Sequence, residues 1–214
     1  RRQRQMCIRD SLNRAQQYFS LVKMYGDVKW VDKVVDITDD GILYAERDNR
    51  DEVMDKVLAD LTYACENISA QSGKLSWSKD MANAIKSYIC LWEGTFCRYR
   101  TQAENGYAPD EARAKKFLEE SVKAAEAVMS QNYSLNDDYR TKYISLSADL
   151  QKNNEVIFMR NYLDGVLMHS TESYTASSTI ISGLTKDLFD AYLFSDGLPK
   201  ALTSVSYTHL TLPT

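Results

Sequence analysis

Histidine is nearly absent from this chain: only His169 and His209 occur among 214 residues. His209 lies close to the C-terminus, which leaves His169 as the only histidine in the body of the chain. Zinc sites and acid–base catalysis at neutral pH depend on histidine more than on most other side chains. The scarcity argues against both, and we expect no metal ion, no cofactor and no catalytic residue.

An excess of positive charge is also missing. The chain has 26 lysines and arginines against 30 aspartates and glutamates, for a net charge of −4. Proteins that bind nucleic acid neutralise its phosphates with lysine and arginine, so we expect no nucleic-acid partner. No run of about 18 apolar residues occurs, which argues against a membrane span. The sequence has no P-loop, no dinucleotide-binding glycine pattern, no HExxH and no nucleophile elbow.

The four cysteines do not form a recognisable disulfide or metal pattern. Cys90 and Cys97 fall on one predicted helix, about 10 Å apart along its axis. A disulfide requires the two Cα atoms to come within about 7 Å. We therefore predict that Cys65, Cys90 and Cys97 are small buried hydrophobic residues.

The two ends of the chain encode one another. A nucleotide string that translates to RRQRQMCIRDS, residues 1–11, has a reverse complement that translates to VSYTHLTLPT, residues 205–214, and completes the codon of Ser204. The string resembles a transposase adapter from sequencing libraries. We interpret residues 1–11 and 204–214 as adapter-derived, and we expect neither segment to pack against the rest of the protein. Without residues 1–11, which carry a net +3, the chain has a net charge of −7.

Apolar residues recur with helical spacing through most of the chain. Ser78 and Asn49 are suitable N-caps and Gly26 a suitable helix end, while Pro109 suits a first helical turn. Four amphipathic helices are predicted, with Thr185–Tyr192 as a further one. Their expected inner faces are Leu12, Ala15, Phe19 and Val22; Val53, Val57, Leu61, Ala64 and Ile68; Met81, Ile85, Tyr88, Trp92, Phe96 and Tyr99; and Leu118, Val122, Ala125 and Met129.

Three segments lack this spacing. Residues 155–162, EVIFMRNY, fit a strand or an extended segment equally well. Residues 27–48 are long and polar, and residues 161–179 are rich in tyrosine, serine and threonine. Long connections within a compact fold are usually functional or disordered.

Several landmarks occur in the order and at the separations of the SusD/RagB family. Residues 14–30, RAQQYFSLVKMYGDVKW, resemble the family's helix and turn "RA..yf.l...yGdvPl", except that Lys29 and Trp30 replace a proline and an aliphatic residue. Further resemblances are RDNRDEVMDKVLADLTYA (47–64), KDMANAIKSYICLWEGTF (79–96), AAEAVMSQNYSLNDDY (124–139), NNEVIFMRNY (153–162) and LTKDLFDAYLFSDGLP (184–199). The chain is therefore identified by resemblance as an internal fragment of such a protein.

The resemblance implies an all-α fold of tetratricopeptide-like helix pairs, incomplete in this chain. Residues 12–150 resemble part of the N-terminal helical region, and residues 151–203 resemble the start of the C-terminal region. Family members are lipid-anchored proteins on the outer face of the outer membrane. They pass oligosaccharides or other nutrients to a TonB-dependent, SusC-like transporter. The lipidated cysteine is expected upstream of residue 12.

The candidate glycan-binding residues combine aromatic and polar side chains, as sugar sites do. Residues 161–179 resemble, by position, the part of the family that contributes to the glycan-facing surface. The strongest candidates are Tyr174 and His169, followed by Tyr162 and Glu172, with Trp77 and Trp30 as secondary candidates. Trp92 is expected in the core.

Two other functions remain open from the sequence. One is a helical-repeat scaffold for protein partners. The other is a helical glycoside hydrolase, which requires two carboxylates about 5–10 Å apart across the bond to be cut. The adjacent pairs Asp39–Asp40 and Asp137–Asp138 are more typical of solvated turns than of such a site.

Overall fold

The computed structural model describes residues 2–69, 73–162, 165–168, 183, 185–194, 196–199 and 202. Within them the fold is all-α, with no strand and one isolated antiparallel bridge between Val28 and Asp48. The helices are α1 Arg2–Tyr25, α2 Asp40–Leu43, α3 Arg50–Asn67, α4 Lys79–Tyr99, α5 Gln102–Asn105, α6 Glu111–Met129, α7 Tyr139–Ile144, α8 Ser147–Leu150 and α9 Lys186–Ala191.

The chain divides into two compact units. The first comprises Arg1–Leu135 and Asn154–Met159, and the second comprises Asn136–Asn153 and Arg160–Thr214. The first unit contains α1 to α6 and the hydrophobic core. The second contains α7 to α9. The expected division at 150/151 stays a prediction.

The pair formed by α1 and α3 agrees with the sequence. All the residues of both predicted inner faces are buried in the core. Arg14 donates two hydrogen bonds to Asp60, of 2.7 and 2.8 Å, and ties the two helices together across their antiparallel contact. Gly26 ends α1 with φ of 71°, a left-handed conformation that glycine adopts without steric cost.

The expectation that residues 1–11 do not pack is wrong for Ile8. α1 begins at Arg2 and passes Leu12 without interruption, and Ile8 is only 5% exposed, in the same core cluster. The physical reason is helical register. Ile8 precedes Leu12 by four residues and so falls on the same face, and residues 2–11 contain no proline or glycine to end the helix. The adapter origin of the segment stays a hypothesis.

The predicted inner face of α4 is partly wrong. Met81 is buried, but Tyr88 is 58% and Tyr99 is 71% exposed. The largest fully buried side chains of this helix are instead Ile89, Glu93 and two cysteines. The helix packs against α3 on one side and α6 on another, so two neighbouring faces are buried and the aromatic stripe lies at their edge.

The inner face of α6 is also displaced from the prediction. Val122 and Met129 are exposed, whereas Phe117 is fully buried together with small residues, Ala114, Ser121 and Ala124. Small residues face α4 because the two backbones approach closely there. At Gly94 of α4, an added Cβ would lie 2.7 Å from the Cγ of Leu118 and 3.0 Å from the carbonyl oxygen of Ala114.

The two predicted N-caps are confirmed: Asn49 accepts a hydrogen bond from the backbone of Asp51, and Ser78 accepts one from that of Met81. The structure adds a third cap, Thr185, which accepts from the backbone of Leu188. Pro109 does not lie in the first turn of α6, because Asp110 caps that helix through the backbone N–H of Arg113. Pro109 thus stands one residue before the cap.

Two of the segments without helical spacing, residues 27–48 and 155–162, are mostly irregular. Residues 27–48 contain only the short α2 and are closed by the Val28–Asp48 bridge. Residues 155–162 contain no strand. Met159 is the last residue of this segment that belongs to the first unit. Its backbone N–H donates a hydrogen bond to the carbonyl oxygen of Lys74. In the described residues, none of the helices combines the length and the apolarity needed to cross a lipid bilayer.

Candidate functional site

A buried ionic network joins α3, α4 and α6. Arg50, 3% exposed, donates two hydrogen bonds to Glu93, which is completely buried. Arg100 donates two more to Asp51, and Arg113 donates to Asp55. Buried charges are tolerated when they are paired and hydrogen-bonded. The network therefore balances its charge internally and determines how the three helices are placed.

The same network contains a group of ligand-type atoms. Oxygens of Asp51 and Glu93 and the sulfur of Cys97 all lie within 4.8 Å of one another. Arginines already neutralise both carboxylates. Burial raises the pKa of the Cys97 thiol to about 12, and the neighbouring Glu93 carboxylate contributes in the same direction. The thiolate that a metal would require is therefore disfavoured, and the group is explained by the ion pairs.

The three buried cysteines are free, as predicted. Burial raises the pKa of the Cys65 thiol to about 11 and that of Cys90 to about 12. All three therefore remain protonated at neutral pH and contribute to packing.

Acid should weaken the network. Burial alone raises the pKa of Asp51, but the hydrogen bonds from Arg100 and the charges of Arg113, Arg100 and Arg50 outweigh it, and the pKa is lowered. The pKa of Asp55 is also lowered, because hydrogen bonds from Arg113 and Lys116 outweigh its burial.

A carboxylate with a lowered pKa in the folded state stabilises the protein above its ordinary pKa of about 4, and that contribution is lost as the pH falls through the lowered value. We expect the free energy of unfolding, measured by urea denaturation, to fall steadily below about pH 4. In Asp51→Asn the decline should be shallower, because one of the responsible carboxylates is gone. An equally steep decline in that variant would contradict this assignment.

An aromatic groove, here called the α4 groove, lies on the outer side of this network. Its volume is about 450 Å³. Trp92 and Phe96 form its floor as a parallel pair, with ring centroids 5.3 Å apart and planes 5° apart. The exposed Tyr88 and Tyr99 stand on either side along the helix. The lining residues are Tyr88, Leu91, Trp92, Thr95, Phe96, Tyr99, Arg100 and Asn105.

The core and the ionic network hold the floor of the groove in place. Phe19 of α1 contacts the Trp92 ring edge-on, with centroids 5.3 Å apart. The guanidinium of Arg50 lies 4.1 Å from the centroid of Phe96, within the range of a cation–π interaction. The aromatic floor is therefore preorganised by groups whose own positions are determined by packing and ion pairs.

Two polar residues of the groove, Arg100 and Asn105, lie toward its Tyr99 end. Arg100 contributes a guanidinium that is engaged with Asp51 and with the carbonyl of Ala108. The Asn105 side chain accepts a hydrogen bond from the backbone of Thr101. The arrangement suits a ligand with an apolar face and neutral hydrogen-bonding groups.

Two solved structures resemble this one. A SusD-like protein from Bacteroides fragilis NCTC 9343 superimposes with a TM-score of 0.60 and 25% sequence identity, over 88% of this chain and 35% of that one. The chain has a SusD-like fold. A protein crystallised with xylogluco-oligosaccharide superimposes with a TM-score of 0.52 and 22% identity, over 72% of this chain and 28% of that one.

The comparison with the SusD-like protein confirms, at the level of the fold, the resemblance that the sequence motifs predicted. This chain spans about a third of the length of the two solved proteins. No family model matches the sequence, and no curated protein matches it either.

The structure describes three of the six predicted binding residues, and neither Trp30 nor Trp77, the two in the first unit, lines the groove. Trp30 packs on Tyr18, with ring centroids 4.3 Å apart, and the Arg14 guanidinium lies 5.0 Å from its ring. Trp77 is half-buried against the core. Tyr162 is 40% exposed, in the second unit, with Arg160 beside its ring. His169, Glu172 and Tyr174 lie outside the described residues, and their role stays a prediction.

The α4 groove was missed in the sequence because its aromatic residues follow helical spacing and were assigned to the core. Trp92 is half-buried and does contact the core, so that prediction is partly right. The sequence did contain a signal for the groove, in the small residues of α4 and not in its large ones. The same helix carries Ala82, Cys90, Gly94 and Cys97, small residues that favour close helix packing and turn the large rings outward.

Proposed function

We propose that this protein binds an oligosaccharide nutrient in the α4 groove and does not cleave it. The observation that carries the proposal is the two exposed tyrosines, Tyr88 and Tyr99, whose rings lie on either side of the stacked Trp92–Phe96 pair, on a SusD-like fold. Xylogluco-oligosaccharide is present in one of the structures that share this fold.

The chemistry of sugars supports this use of the groove. A pyranose ring presents a face of C–H groups that packs on an aromatic ring, while its hydroxyl groups point to the sides. Tyr88 and Tyr99 supply phenolic hydroxyl groups, and Thr95 supplies an exposed alcohol. An apolar surface with a few polar groups is typical of small-molecule sites.

Hydrolysis is disfavoured by the residues at the groove. A glycoside hydrolase places two carboxylic groups on either side of the bond to be cut, and none of the eight lining residues is an aspartate or a glutamate. The carboxylates of the adjoining ionic network, Asp51 and Glu93, are held by arginines. Binding without catalysis is the role that this chemistry supports.

The proposal includes delivery of the ligand to a TonB-dependent, SusC-like transporter. The protein would act at the cell surface, attached to the outer membrane by a lipid on an upstream cysteine. The family resemblance of the sequence supports this part. Co-purification of the transporter with the full-length protein, expressed in its own host with a lipid-anchor cysteine intact, would test it.

The binding site is tested by alanine variants of the exposed tyrosines. We expect Tyr88→Ala and Tyr99→Ala each to weaken the binding of xylogluco-oligosaccharide, measured by calorimetry, by about 1 kcal/mol or roughly fivefold, since each removes one aromatic contact. Tyr63→Ala, an exposed tyrosine on α3 outside the groove, is the matched control and should bind normally.

The tyrosine variants are compared with the loop candidates from the sequence. If Tyr174→Ala and His169→Ala abolish binding while both groove variants bind normally, the site lies in residues 161–179 and the groove assignment is wrong. If no variant changes affinity and the fold is intact by circular dichroism, the site lies in neither place.

A further inference from the structure

The aromatic residues of the α4 groove form a ladder along one helix. Tyr88, Trp92 and Phe96 follow one another at intervals of four residues, and Tyr99 comes three residues later. An α-helix rises 1.5 Å per residue, so successive rungs are about 4.5 to 6 Å apart and the whole ladder extends over about 16 Å. Since α4 runs without interruption from Lys79 to Tyr99, all four rungs lie on one side of the same helix, within about 80° of one another around its axis.

A row of aromatic residues along one helix favours polysaccharides whose chain is nearly straight. In an equatorially linked chain, such as a β-1,4-glucan, the rings follow one another in a nearly straight ribbon, and about 16 Å accommodates roughly three of them. An axially linked chain, such as an α-1,4-glucan, curves into a coil. Its successive rings turn away from a straight row of aromatic side chains, so fewer of them can make contact at once.

The charges of the groove select against acidic sugars. Among the eight lining residues in the described part of the chain, Arg100 is the only charged one. Its Nε donates to the carbonyl of Ala108 at 2.8 Å, and its terminal nitrogens donate to the two oxygens of Asp51 at 2.7 and 2.9 Å. A uronate carboxylate or a sulfate would have to compete with Asp51 for this guanidinium. The rest of the lining offers only neutral groups.

We propose that the α4 groove binds a linear, neutral, equatorially linked oligosaccharide of about three sugar units, extended along α4 over Tyr88, Trp92, Phe96 and Tyr99. This inference rests on the proposed function and adds the class of glycan to it. Affinity increases with chain length until the ladder is covered and then stays constant.

The test measures calorimetric affinities of the 214-residue chain for three series of oligosaccharides with two to five units: cello-, malto- and galacturono-oligosaccharides. We expect affinity for the cello series to rise by about tenfold from the disaccharide to the trisaccharide or tetrasaccharide and to level off there. The malto and galacturono series should bind at least about tenfold more weakly at equal length. Tyr88→Ala and Tyr99→Ala should reduce the dependence on length, and Tyr63→Ala should preserve it.

The outcomes separate this inference from the proposed function. If malto- or galacturono-oligosaccharides bind as tightly as the cello series, and groove variants weaken them, the groove binds glycan but the inferred class is wrong. A cello affinity that does not depend on length also overturns the inference. If none of the series binds, or if Tyr88→Ala and Tyr99→Ala both leave the affinity unchanged, the proposed site and the inference are both wrong.

Discussion

Glu93→Gln is expected to lower the free energy of unfolding by about 3 kcal/mol, the largest single effect anticipated in this protein. Glu93 is completely buried and accepts hydrogen bonds from both terminal nitrogens of Arg50, at 3.1 and 2.5 Å. The amide keeps the shape of the side chain but removes its charge. Arg50 then remains buried with only Asp51 as an anionic partner, and an incompletely compensated buried charge is costly.

The measurement is urea denaturation at neutral pH, with unfolding monitored by circular dichroism. Glu119→Gln is the matched control, because it makes the same chemical change in an exposed i,i+4 pair with Lys115. It should cost less than about 0.5 kcal/mol. If the two glutamine variants lose equal stability, the buried pair does not have the role assigned to it.

A double-mutant cycle distinguishes loss of the pair from loss of packing. Arg50→Met and Glu93→Leu each leave the other charge without its main partner, whereas the double variant removes both charges. Replacing both members of a buried ion pair by apolar residues is often nearly neutral. The double variant should therefore lose clearly less than the sum of the two single losses. Simple additivity would show that Arg50 and Glu93 are not coupled.

Gly94→Ala is expected to destabilise the protein by about 1 to 2 kcal/mol, although alanine favours a helix over glycine by about 1 kcal/mol. The new Cβ would lie 2.7 Å from Leu118 Cγ and 3.0 Å from the carbonyl oxygen of Ala114. Contacts that short force α4 and α6 apart. The contact between α4 and α6 is the most extensive helix contact in the described structure. A displacement of the two helices should therefore weaken packing along the whole pair.

The control for Gly94→Ala makes the same substitution in open space. Gly41 also lies in a helix, α2, and a Cβ there would meet no atom within 4 Å. Gly41→Ala should be neutral or stabilise the protein by up to about 1 kcal/mol. Thermal unfolding of both variants gives the comparison. A stabilising effect of Gly94→Ala would contradict the close approach of the two helices.

Local signals in the sequence were sufficient for most of the helices. Caps at Asn49, Ser78 and Thr185 depend on side chains that bond to backbone groups two or three residues away, so they can be read from neighbouring positions. The stripes of α1 and α3 were also correct, because they follow the more extensive contact of each helix, the one between α1 and α3. α3 also contacts α4 and buries residues outside its stripe, among them Met54, Leu58 and Cys65.

The site required the tertiary structure. Arg50 and Glu93 are 43 positions apart in the chain, and nothing local indicates that they meet. On α4, apolar spacing pointed to Tyr88 and Tyr99 as core residues, and the structure exposes both. The reason is that α4 contacts two neighbours, α3 and α6. A helix packed between two neighbours buries the small and charged residues that contact them. The remaining, solvent-facing side of α4 carries the aromatic groove.

The sequence by itself determined the all-α class, the main helices with most of their caps, the buried cysteines and the resemblance to SusD-like proteins. These depend on composition, on spacing and on contacts between near neighbours in the chain. Only the tertiary structure decided which face of α4 turns outward, that Ile8 joins the core, and that three arginines neutralise the acidic groups behind Phe96. Those features depend on how close two helices approach, and that distance is set by pairs of residues far apart in sequence.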